Sequence, residues 1–197
     1  MRNNSLRLVG IFTLPMNFCV LFSITKLICN FKISYHTTRL CPLDRNINER
    51  TYTVERIAPL FKALQSEYPE YKFSWIEIEV KSIKEMLKIF PDFDLVINKA
   101  DGIGIKVSCN QAVVFIEVSG SSSKPEEKHI KDDAEKLLKE ATFGLVSLLR
   151  NYLGKPAEMA KNVHIYMIQC IGNVFIILLY ITLVFLKDIF YMQHLFR

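Results

Sequence analysis

Two acidic residues stand where a charge needs a purpose. Asp101 opens the apolar run Asp101-Gly102-Ile103-Gly104-Ile105-Lys106-Val107, and Glu117 lies near the end of another, Ala112 to Val118. Charged side chains are rare at such places unless they have work or a partner. Cys109, Asn110 and Gln111 make a tight connection between the two runs, so the runs should pair antiparallel as a hairpin that brings both carboxylates side by side. Two such oxygen ligands, completed by waters and a phosphate, make a Mg²⁺ site, because Mg²⁺ is commonly held by one or two carboxylates plus substrate oxygens. The period of two along a strand points Ser119 at the same place as Glu117. A plainer reading stays open, in which the acids face solvent or pair with Lys99 or Lys106. No other chemistry competes. There is no nucleophile and histidine pair, no G-x-x-x-x-G-K-[ST] loop, and Gly102-x-Gly104 lacks the strand-before, helix-after setting of a dinucleotide site.

The elements that must position the pair follow from hydrophobic spacing. Thr51 to Glu67 predicts an amphipathic helix on Val54, Ile57, Leu60, Phe61 and Leu64, with Pro59 as a kink. Lys72 to Val80 alternates as a strand, with Ile76, Ile78 and Val80 on one face and Trp75, Glu77 and Glu79 on the other. Ser82 to Phe90 is a short helical or irregular connection, stopped by Pro91. After the hairpin, a Gly/Ser/Pro loop leads into a long helix from Pro125 to about Leu153. Its apolar stripe includes Leu137, Leu138, Ala141, Leu145, Leu148 and Leu149, while Lys128, Lys131, Asp132, Glu135, Lys136 and Lys139 face solvent.

This order, with Ala100-Asp101 followed by Glu117-Val118-Ser119 and then a helix, resembles the PD-(D/E)xK nuclease superfamily, whose members carry an Asp, a strand bearing Glu-x-Lys, and a helix across the sheet. From Tyr52 to Cys170 the chain looks like uncharacterised nuclease-like proteins of expanded fungal families. The resemblance implies an α/β fold, a restriction-endonuclease-like mixed sheet flanked by helices, acting on nucleic acid through Mg²⁺ held by Asp101 and Glu117. It also implies an acid on the first helix as a further ligand, for which Glu55 is the candidate. Ser119 replaces the motif lysine, whose part is to position the attacking water and stabilise charge on the phosphate. Lys128 or Lys131 could reach back to supply that cation; as solvated helix residues they would not. The departure leaves two functions open, an active phosphodiesterase and a catalytically inactive binding or scaffold module.

Whole-chain properties bound the rest. The 197 residues carry a formal charge of +5, which favours an anionic partner such as nucleic acid or a membrane surface. Five cysteines without a C-x-x-C pair and four scattered histidines make neither a disulfide framework nor a zinc site, consistent with a cytoplasmic or nuclear setting. Half the residues are hydrophobic, and the apolar ones gather at both ends. Residues 1–45 read as an apolar extension, signal-like or poorly structured, 46–170 as the nuclease-like domain, 171–190 as a hydrophobic segment and 191–197 as a tail. Asn162 to Leu186 holds no Asp, Glu, Lys or Arg, and Met167 to Leu186 supplies the roughly 20 apolar residues that a C-terminal transmembrane helix needs. That helix would make the chain a single-pass membrane protein. The helix is the favoured reading, although its β-branched residues and phenylalanines would also suit buried strands.

Overall fold

In the computed structural model, the described residues are 7–10, 47–89, 99–120, 126–160, 163–171 and 174–181. Asn48 starts the first helical run, its side chain accepting the Thr51 N–H at 2.8 Å, and α1 (Glu49–Tyr52) follows. The helix expected as one piece is interrupted by a π-helical turn, Thr53–Ile57, before α2 (Ala58–Glu67). Proline explains the interruption. Pro59 has no N–H to give and its ring would collide with the carbonyl four residues back, so the backbone widens and Ala58 N–H bonds back to Thr53 O. Tyr52, Ile57, Ala58 and Phe61 form the buried face.

The remaining elements are β2 (Tyr71–Glu79), α3 (Lys81–Ile89), β3 (Lys99–Lys106), β4 (Gln111–Val118), α4 (Glu127–Arg150), α5 (Ala157–Ala160), β5 (His164–Ile171) and β6 (Val174–Ile181). With β1 (Arg7–Gly10) they make a mixed sheet in the order β1-β6-β5-β4-β3-β2. The protein is therefore an α/β structure built on one mixed sheet, with helices packed against it. β2, β3 and β4 form an antiparallel meander, and Asn110, at φ 52°, helps close the β3–β4 turn. β4 and β5 run parallel, which demands a crossover, and α4 provides it by lying across both strands. Phe115, Leu137, Ala141, Leu145 and Ile165 are fully buried there, while Ile116 and Val118, alternate along β4, are buried on the sheet's other face. Gly144 sets the closeness of the α4 contact, since a Cβ there would stand 2.6 Å from Phe115 Cζ.

β2 departs from simple alternation. Trp75 pairs with Gly102 and Ile78 with Ala100, so Ile76 and Glu77 together face Asp101 alone. This is a β-bulge, and both extra residues are left-handed, at φ 67° and 51°. A β-branched residue followed by another non-glycine in that region costs roughly 1–3 kcal/mol each. The bulge also shifts the strand's phase. Tyr71, Phe73 and Trp75 pack toward the core on the first half, Ile78 and Val80 on the second, and Glu77 is left exposed.

The C-terminal expectation of one long apolar helix is corrected up to Ile181. His164–Ile171 and Val174–Ile181 are strands that pair antiparallel from His164↔Ile181 to Ile171↔Val174. β6 has partners on both edges, β1 and β5, and such a strand reads as an unbroken run of Val, Ile, Leu, Phe and Tyr, the same signal as an apolar helix. Gly172 and Asn173 between the strands are turn formers in sequence. Among the described residues no helix is long and apolar enough to cross a membrane. The remainder of the expected segment, 182–186, lies outside the described residues, as does most of the 1–45 extension, of which Arg7–Gly10 pairs in parallel with β6.

Candidate functional site

Asp101 and Glu117 lie where the β3–β4 register, Gly102↔Ile116, places residues opposite one another. Here side chains take over from the backbone ladder. Val118 N–H donates to Asp101 Oδ2 at 2.9 Å, and Asp101 N–H donates to Glu117 Oε1 at 3.3 Å. The bulge in β2 falls directly across from Asp101 and opens a cleft of about 530 Å³, bordered by Asp101, Glu77, Lys99, Glu49, Arg50 and Lys136. Glu117 is buried beside it, at 1% exposure, and reaches the cleft's lining through Asp101 and Lys136.

The lysine comes from the crossover helix. Lys136 Nζ donates to Glu117 Oε2 at 2.8 Å, and its side chain is one-quarter exposed. Helical spacing had set Lys136 among the solvent-facing residues of α4; it turns inward instead, because α4 passes over β4 and a long flexible side chain at the stripe's margin reaches the acid beneath. The two lysines expected in this role do not line the cleft. Lys128 is exposed at the start of α4, and Lys131 pairs with Glu127 at 2.9 Å on the open surface. Ser119, at the motif lysine's position, is buried and accepts a hydrogen bond from Gln169 Nε2 at 3.0 Å, while the same amide donates to Ile130 O at 2.8 Å. Gln169 thus ties β5, the end of β4 and α4 together, and the hydroxyl is part of that clamp.

The first helical run does bring an acid to the cleft, but not Glu55. Glu55 is exposed on the π-helical turn, whereas Glu49, at the start of α1, accepts the Gly120 N–H at 3.0 Å and borders the cleft. Burial pushes the Glu49 carboxyl up, with Asp101 and Asp133 adding to the rise and the Gly120 N–H opposing it. Glu140, one helical turn beyond Lys136, was also missed. It is fully buried, and neither of its carboxylate oxygens accepts a hydrogen bond from a described residue.

Charge in this small volume does not balance. Asp101, Glu117 and Glu140 all act electrostatically on the ammonium of Lys136, which bonds Glu117. Burial first, then the neighbouring Asp101 and Glu140, push Glu117 up to about 9. Asp101 is raised by burial, against the pull of the Val118 N–H and Lys136. Burial and Asp101 raise Glu140 to about 7, with Lys136 opposing them. Burial works against the charged form of Lys136, yet Glu117, Glu140 and Asp101 outweigh it and the lysine is held above its ordinary value. Such a cluster needs protons or another cation to complete it. Among the described residues no three acidic, histidine or cysteine side chains converge closely enough to hold an ion alone, so a metal here would use Asp101 and Glu117 and leave its other positions to water and phosphate.

The fold and site define a mixed α/β domain with a charged cleft, bordered by both acids and cations, beside a buried acid pair on which Lys136 sits. No protein-family model, no curated protein and no solved structure matches the chain.

Proposed function

We propose that this cleft is the Mg²⁺ site of a phosphodiesterase domain of the PD-(D/E)xK type, acting on nucleic acid. One observation carries the reading: Lys136 Nζ sits 2.8 Å from Glu117 Oε2 beside Asp101, so that a lysine from the following helix replaces the cation lost at Ser119. The order of elements agrees with it, an Asp-bearing strand, a Glu-bearing strand paired to it, then a helix across the sheet. Asp101 and Glu117 are the metal ligands, and Glu49 borders the same space. Bound Mg²⁺ supplies a Lewis acid for a phosphate oxygen and an acidified water. Lys136 stabilises charge that builds on the phosphate, in a partly dry site where such a contact is worth most. Val118 N–H and Asp101 N–H hold the two carboxylates in place.

The test is cleavage of labelled DNA and RNA oligonucleotides by the full-length chain in Mg²⁺, beside Asp101→Asn, Glu117→Gln and Lys136→Met. Each substitution should reduce the rate by on the order of 10²–10³ while leaving the circular dichroism spectrum intact. Unchanged cleavage in Asp101→Asn would sink the assignment.

A catalytically inactive binding module is the second reading. It is favoured by the ion pair itself, since Lys136 already neutralises the acid that a metal would need. Calorimetry separates the two: the phosphodiesterase binds Mg²⁺ and loses it in Asp101→Asn, whereas the inactive module binds none.

A further inference from the structure

At the mouth of the cleft, the Glu77 carboxylate lies between two cations. Arg50 Nη2 contacts Oε1, and Lys99 Nζ lies 3.2 Å from Oε2. Each oxygen therefore has its own cation, and the pair shares one negative charge. A phosphodiester presents the same pattern, two non-bridging oxygens with a single charge between them. We propose that Arg50 and Lys99 form a seat for a backbone phosphate of a nucleic acid, and that Glu77 occupies this seat until the substrate displaces it.

Three features support the assignment. Glu77 stands in the β2 bulge, where Ile76 and Glu77 are held at left-handed φ, a backbone arrangement that regular pairing would not adopt. The bulge stands opposite Asp101, so the seat adjoins the acid pair at the distance of one strand, where a neighbouring phosphate of a bound chain would fall. All three partners are also exposed, at 72%, 42% and 50% for Arg50, Glu77 and Lys99, so the pairs are weak enough to be exchanged for an external anion.

The identity of the ligand rests on the phosphodiesterase reading, but its binding does not require the metal. The experiment is fluorescence anisotropy with labelled DNA and RNA oligonucleotides of one sequence, using the full-length chain at low ionic strength in EDTA. Glu77→Gln is compared with Glu79→Gln, which removes the same charge from the same strand but pairs with Lys84 and does not border the cleft. Glu77→Gln should bind at least one of the two oligonucleotides about threefold more tightly than Glu79→Gln does, the factor set by freeing two exposed ion pairs. Glu77→Asn, whose side chain tolerates left-handed backbone, should show the same gain and guards against a folding artefact. In an Arg50→Gln/Lys99→Gln background the gain should vanish. Equal affinity of the Glu77 and Glu79 variants, a gain that persists without Arg50 and Lys99, or no binding by any form would each overturn the seat. The two readings fail separately: loss of Mg²⁺ binding leaves the seat standing, and equal anisotropy leaves the metal site standing.

Discussion

Glu140 lies inside the α4 contact with both oxygens unserved by any described residue, and burial lifts its ionisation from 4.5 to about 7. The folded state thus holds this proton more tightly than the unfolded chain does. Its contribution to stability is complete below about 4.5 and is lost as pH rises through about 7. Glu140→Gln, which keeps the shape without the charge, should therefore stabilise the protein at pH 8 by on the order of 2–3 kcal/mol and change little at pH 4. Thermal midpoints at the two pH values measure this; an unaltered pH dependence in the variant would refute it. Glu140 was legible in principle, being an acid three residues after Leu137 and four before Gly144, within the apolar stripe. Asp101 and Glu117 were legible because acids at the ends of apolar strands are conspicuous. Lys136 was not, because spacing along a helix says which way a Cβ points and not how far a lysine can bend back.

Among elements, the α4-to-sheet contact fixes how high Lys136 stands over Glu117. Gly144 and Lys136 are eight residues apart, about 12 Å along the helix, on the segment that crosses β4 and β5. Gly144→Ala gains helix propensity worth up to ~1 kcal/mol but drives a methyl against the buried ring of Phe115. Overpacking should win, and chemical denaturation should show a net loss of about 1–2 kcal/mol. Stability equal to or above the parent would mean that the ring gives way freely. The hairpin of β3 and β4 could be read from its turn residues, and α3 from Ser82 onward. β2 was read with its later phase throughout, although Tyr71, Phe73 and Trp75 at odd positions followed by Ile78 and Val80 at even ones record the slip that a bulge must absorb. β6 escaped for a different reason, since a strand with two neighbours and an apolar helix share one hydrophobic signature.

For the molecule as a whole, the sheet order ends on β2, the last strand among the described residues on that side. An edge strand offers unpaired N–H and C=O groups to any other extended chain, and long flat edges invite stacking into aggregates. β2 is nine residues long and carries aromatic and β-branched side chains, the composition most prone to such growth. Its kink at Ile76 and Glu77 interrupts the row of hydrogen-bonding groups midway, and Lys72, Glu77 and Glu79 stay exposed along it. Removing Ile76 alone would restore one-to-one pairing with β3 and a regular alternation of Trp75, Glu77 and Ile78, giving a straighter edge. The deletion should elute earlier than the parent from a sizing column as concentration rises, and an unchanged profile would show that the edge is guarded by other means. The two residues that shape the mouth of the cleft would then also serve as a solubility device, so that selection for a folded, dispersed protein could preserve the bulge even in a descendant that had lost every trace of chemistry.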